Sequence, residues 1–171
     1  YSIVNVGEQP RKVAPWELLR APASAGFSFF PSGRGVYPQS TLKLDARSTV
    51  TWFVHTDGRK PRPLKAYADG QDGWLALVSG DLLLVRSFAD AEPSSLAPGE
   101  AEIEILADYD LTTQQHRYVE VGVQGAYLEL APGARRDWIV RWFLRRLPDS
   151  VSAQAGSQEL IGFVKAVVET R

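Results

Sequence analysis

Gly73-Trp74-Leu75-Ala76-Leu77-Val78-Ser79-Gly80-Asp81-Leu82-Leu83-Leu84-Val85-Arg86-Ser87-Phe88 is the stretch on which the fold class turns. Two apolar runs flank Ser79-Gly80, a pair suited to a tight turn, so the stretch reads as a β-hairpin. Its second run, from Asp81 to Phe88, is apolar on both faces. A strand of that kind lies centrally, between two layers.

Reading outward, apolar residues recur mostly at period two in runs separated by Gly, Pro, Asp and Ser. Before the hairpin, Thr49-Val50-Thr51-Trp52-Phe53-Val54-His55 is rich in β-branched and aromatic residues and stops at the turn pair Asp57-Gly58. After it, Ala89 to Glu100 holds Pro93, Pro98 and Gly99 and reads as a surface loop. Strands are then expected over Ala101 to Ala107, Arg117 to Gln124 and Ala126 to Leu130. In the first two, Ile103, Ile105, Val119, Val121 and Val123 alternate with Glu102, Glu104 and Glu120, one face buried and the other acidic. Pro132-Gly133 turns the chain into Trp138 to Leu147, expected to be the longest strand.

Beyond Pro148 the period changes. Ser150 to Gly156 is small and polar, and Leu160, Phe163, Val164, Val167 and Val168 then fall on one helical face, with Ser157 as N-cap. At the other end, Tyr1 to Val6 alternates like a strand, with Ile3 inward and no initiator Met before it. That start reads as the later part of a longer sheet, completed by a missing N-terminal portion or a second chain. The expectation is an all-β fold, an antiparallel β-sandwich of about eight strands with a C-terminal α-helix. The sandwich takes residues 1–149, and residues 150–171 form the linker and helix.

Composition narrows the function classes. The 171 residues carry 19 Lys and Arg against 20 Asp and Glu, a formal charge of -1, which offers no general attraction to nucleic acid. No apolar run is long enough for a membrane-spanning helix. Cys is zero, so there are no disulfides, no thiolate chemistry and no Cys-based zinc site. Two His and no H-E-x-x-H give no metal motif, and no cofactor is called for.

Four constellations remain, each with a plainer reading beside it. His55, followed by Asp57 and Arg62, has the makings of a general acid or of a strand-end residue at the rim; His116 falls in a polar hairpin tip. Glu102, Glu104 and Glu120 form either a carboxylate pair of the glycosidase kind, a Ca²⁺ or sugar-hydroxyl site, or an ordinary solvated face. Arg135, Arg136, Arg141, Arg145 and Arg146 are threaded with Trp138 and Trp142, a pattern that also suits single-stranded nucleic acid but is offset by the acids on neighbouring strands. Pro15-Trp16-Glu17-Leu18-Leu19-Arg20 offers an indole for a pyranose face and charged groups for its hydroxyls, or simply packs.

Asn5-Val6-Gly7 followed by Val13-Ala14-Pro15-Trp16-Glu17 resembles the second half of galactose-mutarotase-like supersandwich proteins, in particular the uncharacterised bacterial DUF4380-type family. Trp52 to Asp57, Gly73 to Ala76, Gly80 to Val85, Tyr118 to Val121, Leu130 to Gly133 and Arg141 to Leu144 continue the resemblance over residues 1–147. It implies a partial supersandwich whose first half is absent. Enzymes of that fold epimerise aldoses with a Glu base and a His acid on a concave sheet face, although neither position aligns with a particular residue here. The resulting expectation is a carbohydrate-binding or carbohydrate-processing protein. In an epimerase version Glu120 or Glu104 takes the anomeric proton and His55 donates to the ring oxygen. Arg20, Arg141 and Glu17 hold hydroxyls, and Trp16 or Trp142 stacks. The alternative is a non-catalytic binding or structural module of a larger secreted protein.

Overall fold

A computed structural model describes residues 1–22, 26–35, 37–47, 49–55, 64–110, 113 and 115–170. The turn expected at Asp57-Gly58, and Arg62, lie outside them. Among the described residues the strands are β1 (Ser2–Val4), β2 (Arg11–Val13), β3 (Trp16–Pro22), β4 (Phe27–Pro31), β5 (Asp45–Arg47), β6 (Val50–Val54) and β7 (Leu64–Ala68). They continue with β8 (Trp74–Ser79), β9 (Leu82–Ser87), β10 (Ile103–Asp110), β11 (Gln115–Gln124), β12 (Leu128–Leu130), β13 (Arg135–Asp137) and β14 (Arg141–Arg146), and the chain closes with helix α1 (Gln158–Glu169).

Two antiparallel sheets face each other. One has four strands in the order β3-β11-β10-β7, and the other has six in the order β14-β9-β8-β4-β6-β5. Between them lie Phe30, Phe53, Leu75, Ile103, Ile105, Val119, Val121 and Val123, the inward half of each period-two pattern. The six-stranded sheet buries its other face as well. Phe29, Trp52, Trp74, Ala76, Leu83 and Val85 pack there against Leu160, Val164, Val167 and Val168 of α1, and Phe29 and Trp52 stack at 4.5 Å. The molecule is therefore an all-β sandwich with a C-terminal helix as a third layer. The two-sided apolar pattern of β8 and β9 is the consequence of that third layer. Ser157 caps α1 as expected, its Oγ accepting from the Leu160 N–H at 3.1 Å.

Three expectations need correction. Among the described residues the two sheets hold ten strands rather than about eight, and the three-residue strands β1, β2, β12 and β13 form two separate ribbons, β1-β13 and β2-β12. Trp138 to Leu147 is not one strand, and the longest is β11, with 10 residues. The chain leaves β13, which pairs with β1, before it joins β9 as β14. At the break Trp138 turns into the inter-sheet core, where its indole N–H lies 2.8 Å from the place a Cβ on Gly125 would take. The N-terminal strand does pair, Ile3 opposite Arg136, but Ile3 is half-buried rather than buried.

Candidate functional site

The outward face of the four-stranded sheet carries the densest set of the proposed residues. Antiparallel register aligns Leu18, Gly122, Glu104 and Tyr67 in one row and Arg20, Glu120, Leu106 and Lys65 in the next. Trp16 stands opposite Gln124. Each carboxylate has a cation. Arg20 Nε donates to Glu120 at 2.7 Å, and Lys65 Nζ sits 2.6 Å from Glu104. Aromatic rings flank both pairs, with Arg20 over Tyr118 at 4.7 Å and Lys65 over Tyr67 at 4.5 Å.

Gly122 makes the centre of this face. A Cβ there would stand 2.7 Å from the Trp16 indole nitrogen, so only glycine lets the indole lie across β11. Trp16 remains 54% exposed. Trp16, Leu18, Lys65, Glu104, Leu106, Glu120 and Gly122 surround a hollow of about 80 Å³. A water molecule's share of liquid is about 30 Å³, so the hollow takes two or three waters or one protruding substituent, not a whole ring. Any larger ligand lies on the face rather than within it.

The two acids differ in setting. Glu104 is nearly buried, and burial together with a hydrogen bond to Glu100 outweighs Lys65 and pushes its pKa up to about 7. Lys65 loses some of its charge preference to burial, but Glu104 and Tyr67 more than restore it and hold the ammonium above its usual range. Glu104 and Glu120 are diagonal neighbours across β10 and β11, a relation that sets side-chain origins about 7–8 Å apart.

The remaining residues are elsewhere. His55 is buried against the six-stranded sheet, its Nε2 2.9 Å from Ser28 Oγ, with Phe53 of the inter-sheet core as its ring neighbour. The four-stranded sheet thus stands between it and Glu104 and Glu120. Glu17 points inward, opposite to Trp16, and is buried. It accepts from the Trp142 indole N–H at 3.0 Å and from the Tyr1 hydroxyl, and it faces the fully buried Arg86 guanidinium at 3.5 Å. Arg86 in turn donates to the Val121 carbonyl at 2.9 Å. Glu17 and Trp142 thereby tie the two sheets together at one side of the sandwich. Arg141, exposed on β14, borders a separate groove of about 340 Å³ beside Arg136 and Trp138.

Glu102 shares the outward direction of Glu104 but is covered. Its oxygens accept from the Gly70 and Ala91 N–H groups at 3.1 and 2.8 Å, and burial pushes its pKa up to about 8. Asp69 nearby accepts from the Arg34 and Gly35 N–H groups at 2.6 and 2.8 Å. Asp69 borders a hollow of about 380 Å³, together with Gly70 and Ala91, whose N–H groups Glu102 accepts from, so the two acids hold the loops around it. The side chain of His116 lies outside the described set. Among the described residues no group of three or more His, Asp and Glu is arranged to hold a metal ion, and no helix is long and apolar enough to cross a membrane.

Lys65, Tyr67 and Gly122 were not singled out from the sequence. Gly122 left a signal, a lone glycine in the valine alternation of β11, which marks a close approach. Lys65 and Tyr67 left none, because their place beside Glu104 depends on how β7 pairs with β10.

Comparison with protein-family models, with curated proteins and with solved structures finds no match to this chain. The likeness to galactose-mutarotase-like proteins rests on its short motifs alone.

Proposed function

We propose that the outward face of the four-stranded sheet binds carbohydrate and that the chain acts as a non-catalytic binding module. The observation that carries this reading is the exposed Trp16 indole laid over Gly122 between two ion-paired carboxylates. A pyranose has one apolar face, which suits an indole, and a rim of hydroxyls that both donate and accept. Glu120 and Glu104 accept from such hydroxyls, and Arg20 and Lys65 donate to them. The cations keep the acids neutralised without a ligand, so a sugar need not bring a charge.

The epimerase version asks for a Glu and a His facing one substrate. Glu104 and Glu120 face outward while His55 is buried between the sheets, so the geometry favours binding over that chemistry. Glycoside hydrolysis is a second reading. It is favoured by the raised pKa of Glu104, which suits a general acid, with Glu120 as its diagonal neighbour across β10 and β11.

Calorimetry with a panel of mono- and disaccharides tests the proposal. An open face predicts millimolar dissociation constants, near -4 kcal/mol, weakened by Trp16→Ala and Glu120→Gln. Sugars that bind should leave anomers interconverting no faster than in buffer and nitrophenyl glycosides intact. Turnover of either kind replaces the module with an enzyme, and no binding at millimolar concentration removes the carbohydrate reading.

A further inference from the structure

The two sheets end together on one side. Among the described residues nothing pairs with the outer rim of β3 in the four-stranded sheet or of β14 in the six-stranded sheet. The two rims lie one above the other, because Trp142 of β14 donates to Glu17 of β3. Upstream of β14, Trp138 packs beside Gly125, as does Pro15, which precedes β3. The two edge strands therefore run in the same direction.

Both edges carry the same spaced pattern. β3 reads Trp16-Glu17-Leu18-Leu19-Arg20 and β14 reads Trp142-Phe143-Leu144-Arg145-Arg146, each Trp-x-Leu-x-Arg. In each, these three residues share one face of the strand and are exposed. Trp142 and Leu144 are the more unusual pair. They point to the inter-sheet side, yet are 48% and 63% exposed, because among the described residues no strand of the four-stranded sheet lies beyond β3 to cover them. Leu82, two strand positions from Leu84, extends the same apolar surface.

We infer that this side of the sandwich is a homodimer interface in which β3 pairs with β3 and β14 with β14 of a second copy, about a two-fold axis perpendicular to both sheets. Such an axis keeps inward faces inward, so both sheets run on across the dimer. The register is set by self-complementarity. With the axis at Leu18, Trp16 stands opposite Arg20 of the second copy, and Leu18 meets its own equivalent. With the axis at Leu144, Trp142 stands opposite Arg146 of the second copy and Phe143 opposite Arg145. Each of these aromatic residues thus stands opposite an arginine, and no two arginines oppose each other directly. Shifting the β14 register by one pair, to centre on Phe143, would set Arg141 against Arg145, a like-charge contact that disfavours the alternative.

The two register centres fall close together. Trp142 lies over Glu17, so Leu144 falls over about Leu19, roughly one residue or 3.3 Å from Leu18. Arginines on an edge strand often block pairing. Here their spacing blocks the wrong registers and leaves the Leu-centred one open. Trp16, Leu18 and Arg20 border both this edge and the outward face, but the dimer requires no sugar.

The chain has no cysteine, which makes cross-linking a clean reporter. Residues opposite themselves on a two-fold axis have Cα atoms about 4.5–5.5 Å apart, within disulfide reach. Sedimentation velocity on the full chain should show a concentration-dependent dimer. Leu18→Cys and Leu144→Cys should each cross-link copies under mild oxidation, whereas Leu128→Cys, exposed on β12, should not. Leu144→Lys sets two ammonium groups on the axis and should raise the dissociation constant at least about tenfold, with an unchanged circular-dichroism spectrum. A monomer at every concentration overturns the inference. So does a dimer that survives Leu144→Lys unweakened, or one whose cross-links form through Leu128→Cys as readily as through the two edge positions.

Discussion

Replacing Glu17 by Gln tests how the sandwich is held at its side. Arg86 is fully buried, and burial lowers its pKa to about 10 against the pull of Glu17. Its guanidinium has one hydrogen bond to a carbonyl and one carboxylate at 3.5 Å. Gln is nearly isosteric and still offers an acceptor for the Trp142 indole and a donor or acceptor for the Tyr1 hydroxyl. The substitution therefore removes the charge and little else. An uncompensated buried charge costs about 3–5 kcal/mol, a large part of the ~5–15 kcal/mol that holds a domain together. At about 2–4 °C per kcal/mol for a chain of this size, the melting temperature should fall by roughly 6–20 °C. The double change Glu17→Leu with Arg86→Met should recover most of that loss, because a buried ion pair is close to neutral against well-packed apolar residues. Denaturant titration of the four corners of this cycle gives the coupling. A Glu17→Gln variant within about 1 kcal/mol of wild type would refute the claim that Glu17 neutralises Arg86. A Glu17→Gln variant of unchanged stability that loses ligand would return Glu17 to the binding residues.

Three further outcomes follow from the same structure. Leu160→Ala, a fully buried contact between α1 and the six-stranded sheet, should cost about 2–5 kcal/mol, and Ser157→Ala about 1 kcal/mol through the lost cap; equal effects in denaturant melts would argue against the helix as a third layer. Burial raises Glu102 and Glu104 from an ordinary glutamate's 4.5 to about 8 and about 7, so the native state binds more protons than the unfolded chain between those limits. Their contribution is full below about pH 4.5 and is lost as pH rises through 7 and 8; chemical denaturation across that range should show falling stability, and a rise would contradict the assignment. Gly122→Ala should weaken sugar binding as much as loss of the indole does, because the added methyl displaces Trp16; undiminished affinity, read by calorimetry, would detach the platform from the site.

How far the sequence is legible depends on whether local pattern or strand pairing places a residue. The hairpin of β8 and β9, the alternation of β10 and β11 and the capped helix were readable, because each follows from local periodicity and turn chemistry. The break at Trp138 was not, since period two runs on without a signal while the indole leaves the strand to fill the core. The outward direction of Glu104 and Glu120 was readable from alternation. The separation of His55 from them was not, because it depends on which sheet receives β6. Glu17 sits beside Trp16 in sequence and on the opposite face in space. Its burial is explained by the Tyr1 hydroxyl and by Arg86 and Trp142 on strands far along the chain.

The central claim is that the outward face around Trp16 recognises a sugar, and amide chemical-shift mapping during a titration with the best-binding saccharide tests it most directly. Perturbations should be confined to β3, β7, β10 and β11 around Leu18, Lys65, Glu104 and Gly122 and be abolished by Trp16→Ala while the rest of the spectrum stays unchanged. Perturbations centred on the groove beside Arg141, or on the loops around Asp69, would contradict it, as would a titration that Trp16→Ala leaves intact.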